Sequence, residues 1–281
     1  MTIVHRLAAF TQDPAGGNPA GVVIGSTHPS DEEMQLIAAE VGYSETAFLA
    51  PAEGSLRRYR VRYFSPLMEV PFCGHATIAA GVALAGGAGT GRFELLTKAG
   101  LVPVDVRGDG SGHFLATLTS PPPLVDPIDD LLLGHVLAAL DWSRSELDPA
   151  LPPARASAGA AHVVLAASHR ARLADLDYDF ERLRSIMIEA GLITLQLVWR
   201  ETALRYHARA PFPVGGVVED PATGAAAAAF GAYLRHLGVI SAPCTVTILQ
   251  GADMGRPSTL LVELIPLQDS VRVSGHAVPM V

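Results

Sequence analysis

One short stretch of the chain occurs twice, and this internal repeat constrains the fold more than any other feature. Residues 69–84 read EVPFCGHATIAAGVAL, and residues 219–234 read EDPATGAAAAAFGAYL. A glutamate, a proline, two glycines and a leucine recur in one register, beside alanine matches that an alanine-rich chain supplies easily. Self-similarity of this kind is typical of a fold in which one supersecondary unit is made twice.

The residues that precede each copy repeat as well. Segments 30–42 and 179–191 carry acidic residues near the start and end at glycine, which predicts two capped helices. Alternation of large or apolar residues with charged ones predicts two strands after each helix. These strand segments are 43–50 and 58–64 in the first half, and 192–199 and 205–211 in the second half. Each half therefore reads helix, strand, strand, Pro-x-x-Gly and a second helix.

The two helices after the Pro-x-x-Gly turns are apolar on every face, so we predict that strands enclose them. Valine-rich alternation elsewhere predicts many short strands and few helices. The proline-dense residues 119–127 predict a linker, since proline fixes φ and cannot continue a strand ladder. We therefore predict the α+β class with two pseudo-symmetric domains, residues 1–120 and 121–281. The last strand either pairs within the second domain or crosses back to the first.

Composition narrows the classes of partner. The net charge is -8 and no run is rich in lysine or arginine, so we expect binding to neither nucleic acid nor an anionic membrane. The start of the chain lacks a signal-peptide pattern and no window reads as a membrane helix, which predicts a cytoplasmic protein. The two cysteines form no CxxC pair, and HExxH, GxGxxG and GxxxxGK[ST] motifs are absent. A small-molecule substrate, with no metal, is the favoured expectation.

The start of each buried helix is a candidate anion site. Unpaired backbone N–H groups and the positive end of the helix dipole face the space before it. Gly74 and Gly224 let a ligand approach the backbone closely, and two related copies would aim both helix starts into one cleft. A carboxylate held there would become more acidic at its α or vinylogous carbon.

Residues that differ between the two copies are the candidates for catalysis, because the residues that both copies share are sufficient to form the common fold. Glu45 faces Thr194, Cys73 faces Thr223, His75 faces Ala225, and Asp220 faces Val70. The candidate catalytic residues are thus Glu45, His75 and Asp220, whose different pKa values suit proton transfer at carbon without a cofactor. The candidate substrate-binding residues are Asn18, Cys73, Gly74, Gly224, Ala225, Gln250 and Arg256.

Each candidate also has a structural interpretation. Cys73 is equally a small buried apolar residue, and His75 a hydrogen-bonded core histidine. Glu45 is otherwise an exposed position of its strand, and Asp220 a helix cap. Arg256 is otherwise a solvated surface charge. Glu69 and Glu219 occur in both halves, so we expect them to brace the two turns.

Several motifs resemble those of the PhzF-like phenazine-biosynthesis isomerase family, which shares the diaminopimelate epimerase-like fold. The matching segments are GNPAGVV (17–23), SETAF (44–48), EVPFCGHAT (69–77), EDPATGAAA (219–227), QGADMGRPS (250–258) and VRVSGHAV (271–278). The resemblance implies two pseudo-symmetric domains, each a curled, mostly antiparallel sheet around a central helix, with the active site between them. It also implies a cofactor-independent isomerase that is usually a homodimer.

The best-known member of that family acts on trans-2,3-dihydro-3-hydroxyanthranilate. There the glutamate that matches Glu45 takes a proton from carbon and helps to return it elsewhere, supported by residues that match His75 and Asp220. This chain departs from the family at Ala225, where serine is common, so one hydroxyl group expected near the substrate is missing.

Three hypotheses follow. The first is an isomerase that moves a proton, and with it a double bond, on a small carboxylate-bearing substrate. The second is an epimerase or racemase on the same scaffold, although the two-thiol type is disfavoured because no second cysteine faces Cys73. The third is a non-catalytic protein that binds a small anion.

Overall fold

The computed structural model describes residues 2–280. Strands of the first half are β1 (His5–Ala9), β2 (Asn18–Ile24), β3 (Glu45–Pro51), β4 (Arg58–Phe64), β5 (Glu69–Val70), β6 (Gly91–Thr97), β7 (Gly100–Gly108) and β8 (Phe114–Thr119). Two helices lie among them, α1 (Asp31–Val41) and α2 (Gly74–Ala88). Both predicted helices and both predicted strands of this half are therefore present.

The second half continues the same alternation of strands with a few helices. Its strands are β9 (Leu124–Pro127), β10 (Ala154–Ser157), β11 (Ala161–Ala166), β12 (Thr194–Thr202), β13 (Arg205–Arg209), β14 (Cys244–Gln250), β15 (Ser258–Leu264) and β16 (Val271–Pro279). Its helices are α3 (Asp130–Leu140), α4 (Arg170–Ala174), α5 (Phe180–Glu189) and α6 (Gly224–His236). The fold is mixed α+β and rich in sheet, as the sequence predicts. None of the helices in the described part of the chain has the length and apolar character needed to span a bilayer.

The sheet of the first half closes on itself through the last strand of the chain. The strand order runs β1-β2-β3-β4-β6-β7-β8-β16, and β16 pairs again with β1. Along one edge β16 pairs with β15 over 271–274 and then with β1 over 277–279, while its other edge pairs with β8. The last strand thus both stays with the second half and crosses back to the first.

Strand pairings recur in the same order in both halves. In the first, β2–β3 is parallel, β3–β4 antiparallel and β4–β6 parallel. In the second, β11–β12 is parallel, β12–β13 antiparallel and β13–β14 parallel. The division into two pseudo-symmetric domains near residue 120 stays a prediction.

The proline-dense segment is not a linker along its whole length. Leu124–Pro127 form β9, which pairs antiparallel with β10. Prolines 121–123 have no N–H group, but the next three residues do, so a short edge strand can begin directly after them.

Strands enclose α2 and α6, as predicted. Residues 74–82 of α2 and 224–234 of α6 are buried on all sides. A Cβ atom on Gly81 would lie 2.7 Å from a Val104 methyl carbon, and one on Gly231 would lie 2.6 Å from a Val262 methyl carbon. The glycine that recurs in both copies of the repeat is therefore required where each helix packs on its sheet.

Candidate active site

The two central helices begin at one point of the molecule. A Cβ atom on Gly74 would lie 2.5 Å from the Gly224 Cα atom, so the first residues of α2 and α6 are in backbone contact. Neither helix has a side-chain cap, whereas α1, α3 and α5 are capped by Ser30, Asp129 and Asp179. The first N–H groups of α2 and α6 are thus left for a ligand, with the positive ends of two helix dipoles behind them.

The turns before these helices are braced by a pair of ion pairs. Arg62 Nε donates to Glu69 Oε1 at 2.8 Å, and Arg209 Nε donates to Glu219 Oε1 at 2.9 Å. Both arginines occupy the same position of the strand that precedes the turn. The repeated glutamates therefore hold the scaffold, which agrees with their presence in both halves.

Glu45, Cys73 and His75 form a buried cluster beside the helix starts. His75 Nε2 lies 3.5 Å from Glu45 Oε2, and His75 Nδ1 lies 3.2 Å from Cys73 Sγ. Glu45 is only 5% exposed, and its Oε2 has no hydrogen-bond partner within residues 2–280. A buried carboxyl oxygen with no partner costs stability, which is typical of a group kept for reaction.

Burial governs the ionisation of this cluster. It raises the pKa of the Glu45 carboxyl well above 4.5, and the nearby Asp220 charge raises that pKa further. Burial likewise raises the pKa of the Cys73 thiol, and it lowers the pKa of His75. At neutral pH the Cys73 thiol therefore stays protonated and the His75 imidazole stays neutral. Glu45 is the group whose pKa moves toward the range that suits a general base or acid at neutral pH.

Asp220 is held by a network that spans three parts of the chain. Asn18 Nδ2 donates to Asp220 Oδ1 at 2.6 Å, and Thr223 Oγ1 donates to Asp220 Oδ2 at 2.7 Å. Gln250 Nε2 donates to the Asp220 carbonyl oxygen at 2.8 Å, and the Thr223 N–H group donates to Gln250 Oε1 at 3.2 Å. The Asp220 side chain therefore has one fixed orientation.

A small cavity joins the cluster to Asp220. Of the predicted site residues, it is lined by Glu45, Cys73, Gly74, His75, Asp220, Gly224 and Ala225. Its volume open to the centre of a water molecule is about 10 Å³, which is room for at most one water molecule. The structure thus brings the predicted catalytic residues together in a closed arrangement that has to open before a substrate enters.

Three predicted substrate-binding residues do not line this cavity. Asn18 and Gln250 orient Asp220 and Thr223, so they act as positioning residues. Arg256 Nε donates to the Gly17 carbonyl oxygen at 2.8 Å, and its guanidinium also binds the Gly16 carbonyl oxygen. This arginine is half-buried and links two loops, so it is not a fully solvated surface charge. Its role in substrate binding stays a prediction.

Sequence reasoning missed several lining residues: Phe72, Ala160, His162, Ile193, Thr194 and Thr223. Thr194 and Thr223 carried a signal, as the counterparts of Glu45 and Cys73 in the repeat. His162 carried none, because the sequence identity of the repeat does not extend to its strand. Only the strand register shows where His162 lies. His162 on β11 is opposite Thr194 on β12, just as Ala20 on β2 is opposite Glu45 on β3.

The cluster also contains a set of possible metal ligands. Donor atoms of Glu45, Cys73 and His75 all lie within 4.8 Å of one another. A cation bound by all three would keep the carboxyl deprotonated and would fill the space that a substrate carbon has to approach. Metal-independent chemistry stays a prediction and enters the proposal below.

Acid should destabilise the protein through its buried histidines. Burial lowers the pKa of His162 from 6.5 to about 4. Between these values the unfolded chain binds a proton that the folded chain does not, so stability is lost as the pH falls through this range. His162 alone should lower the free energy of unfolding by roughly 2 kcal/mol between pH 7 and pH 5.

Urea denaturation of wild type and His162→Gln at the two pH values measures this effect. We expect a weaker pH dependence in the variant, with part of it remaining because burial also lowers the pKa of His75. Equal pH dependence in the two proteins would show that His162 does not contribute.

Comparison with known proteins gives whole-length matches. The phenazine biosynthesis-like protein family, PhzC-PhzF, matches residues 7–281. An uncharacterized isomerase of Salmonella typhimurium is 32% identical over 287 residues, covering 98% of this chain and 95% of that protein. The trans-2,3-dihydro-3-hydroxyanthranilate isomerase of Pseudomonas chlororaphis is 30% identical over 278 residues, covering 96% and 94%. The solved structure of a predicted epimerase from Pseudomonas aeruginosa matches with a TM-score of 0.88 at 26% identity, covering 100% of this chain and 98% of that one.

Proposed function

Because the chain belongs to the phenazine biosynthesis-like protein family and is an isomerase, we propose that it moves a proton between carbon atoms of a small carboxylate. The double bond of the substrate shifts at the same time, and no metal or organic cofactor takes part. The observation that carries this proposal is the buried Glu45 carboxyl, which has a raised pKa and an unpaired oxygen at the start of two uncapped helices.

The substrate carboxylate binds the free N–H groups at the starts of α2 and α6. Two helix dipoles stabilise the negative charge that spreads onto the carboxylate when a neighbouring carbon loses its proton. Gly74 and Gly224 allow the two helix starts to lie in backbone contact, because a Cβ atom on either residue would meet the backbone of the other. Asp220, fixed by Asn18 and Thr223, also lines the cavity, and its charge adds to the burial that raises the pKa of Glu45.

Glu45 takes the proton from one carbon and returns it to another. The electrons of the broken C–H bond form a new C=C bond, and those of the old C=C bond capture the proton two carbons away. Atoms and charge are conserved, so the reaction needs no oxidant or co-reactant. The neutral His75 imidazole, 3.5 Å from Glu45, orients the carboxyl through both steps.

The substrate of the Pseudomonas chlororaphis relative, trans-2,3-dihydro-3-hydroxyanthranilate, belongs to this chemical class and is the first compound to test. Ala225 offers it no hydroxyl group, so a related hydroxylated carboxylate is an equally suitable candidate. The cavity holds about one water molecule, so the segments around Gly74 and Gly224 have to separate for entry and close for reaction.

Solvent-deuterium exchange tests the proposal. Wild-type protein in D₂O should place deuterium at carbon in the product of a reactive compound, and mass spectrometry with proton NMR locates the label and the double bond. A panel of cyclic and allylic amino and hydroxy acids extends the search beyond the first compound. Exchange with inversion at one carbon and an unmoved double bond would identify an epimerase instead. Binding without any exchange across the panel would contradict carbon-acid chemistry.

A further inference from the structure

Two of the residues that line the cavity each have a buried polar atom with no hydrogen-bond partner among residues 2–280. These atoms are Glu45 Oε2 and His162 Nε2. The first belongs to the proposed acid/base, whereas the second has no part in the reaction described above. Both Asp220 carboxylate oxygens already accept hydrogen bonds, and the Thr223 hydroxyl donates one of them. Among the side chains that line the second-half side of the cavity, His162 therefore carries a hydrogen-bonding atom that no other described residue uses.

The His162 ring has a fixed orientation. His162 is 0% exposed, and its Nδ1 atom lies 2.8 Å from Thr194 Oγ1 on the neighbouring parallel strand. The contact with Thr194 engages one ring nitrogen and leaves Nε2 without a partner among residues 2–280. A buried imidazole nitrogen without a partner costs about 1–3 kcal/mol. A histidine kept only for packing would have both nitrogens paired or would be replaced by an apolar residue.

The state of the ring limits the group that it can bind. Burial lowers the pKa of His162 to about 4, so the imidazole is neutral near pH 7. A neutral ring does not attract a second substrate carboxylate by charge. The acidic side chains of Glu45 and Asp220, which line the same cavity, disfavour such a carboxylate. A hydroxyl group both donates and accepts hydrogen bonds, so it pairs with Nε2 in either tautomer of the ring.

We propose that His162 is a specificity-determining residue that hydrogen-bonds a hydroxyl group of the substrate. Thr194 is its positioning residue, because the Thr194 hydroxyl holds the ring. This inference rests on the proposed function, since it concerns the substrate of the same cavity.

Calorimetric titration with two stable analogues tests the inference. Anthranilate and 3-hydroxyanthranilate differ by one hydroxyl group, and neither can undergo the proposed shift because both are aromatic. Wild type should bind 3-hydroxyanthranilate roughly 10-fold more tightly, the effect of one buried hydrogen bond. His162→Leu should reduce this preference to less than about twofold while binding anthranilate nearly as wild type does.

His162→Gln retains a hydrogen-bonding group and should restore part of the preference. Thr194→Val should weaken the preference without abolishing it, because the ring stays in place but loses its orienting contact. His207→Leu is the matched control: this histidine contacts Glu201 on the surface, and its loss should leave the preference unchanged. Near-ultraviolet circular dichroism checks that each variant is folded.

The outcomes separate the inference from the proposed function. Equal affinity of wild type for the two analogues, or an unchanged preference in His162→Leu, would overturn the role of His162 and leave Glu45 chemistry intact. Binding of neither analogue by wild type would contradict the carboxylate site itself, and the inference would fall with it.

Discussion

Glu45→Gln should lower kcat by about 10²- to 10⁴-fold, the usual contribution of a positioned general acid or base. Glutamine has the shape of glutamate but cannot take up or release a proton at neutral pH. The Glu45 Oε2 atom has no hydrogen-bond partner in residues 2–280, and an amide oxygen can still accept the hydrogen bond that Cys73 gives to the carboxyl, so glutamine should fit. Affinity for 3-hydroxyanthranilate should therefore change only a few-fold. Steady-state kinetics, deuterium exchange and calorimetry measure the three quantities.

A surface glutamate supplies the control for this variant. Glu94 pairs with Arg58 at 2.7 Å on partly exposed strands, and Glu94→Gln should keep full activity. A Glu45→Gln protein that turns over substrate at the wild-type rate would show that another group moves the proton.

The same substitution should change stability in a pH-dependent way. The folded state raises the pKa of Glu45, so it favours the protonated carboxyl and loses stability as the pH rises from 4.5 through the folded-state pKa. Glutamine is neutral at every pH in this range. Glu45→Gln should therefore be more stable than wild type at pH 8 and nearly equal to it at pH 4. This gain would accompany the loss of activity and would exclude misfolding as its cause.

Gly74→Ala should lower kcat/KM by about 10²-fold or more, because displacement of a reacting group by 1 Å is enough for such a loss. The new Cβ atom would lie 2.5 Å from the Gly224 Cα atom and 2.7 Å from the Ala225 nitrogen. Both contacts are with backbone atoms, so no side-chain rotation can relieve them. The two helix starts would have to move apart, which separates the amide groups that bind the carboxylate and opens the closed cavity.

Gly86→Ala is the matched control in the same helix. A Cβ atom on Gly86 meets no atom within 4 Å, and alanine is favoured over glycine inside a helix. This variant should keep wild-type kcat/KM and should gain up to about 1 kcal/mol of stability. Wild-type kinetics in a folded Gly74→Ala protein would show that the helix starts do not need to touch during turnover.

Much of the fold followed from one comparison of the sequence with itself. The repeated helices, strands and glycine turns are present, and the family and the mixed α+β class are confirmed. The short strand β9 was missed, because the three prolines before it favoured a linker over a strand of only four residues, which pair with β10. Edge strands of this length leave almost no periodic pattern in a sequence.

The candidate site was predictable where the two halves differ. Glu45, His75 and Asp220 became candidates because the matching positions of the other half carry different residues, Thr194, Ala225 and Val70. The roles of Asn18 and Arg256 were not predictable, since their partners come from distant parts of the chain and depend on the folded structure. His162 was missed for the same reason, because only the register of β11 with β12 places it beside the cavity.

Strand β16 links the order of synthesis to the order of folding. The ring around α2 lacks its closing strand until residues 271–279 have left the ribosome, and until then the edges of β1 and β8 have no partner. The sheet of the first half therefore stays incomplete while the second half is synthesised, and only β16 completes it. Pairing across such a sequence separation slows folding, and it makes closure of the sheet around α2 depend on residues of the second half.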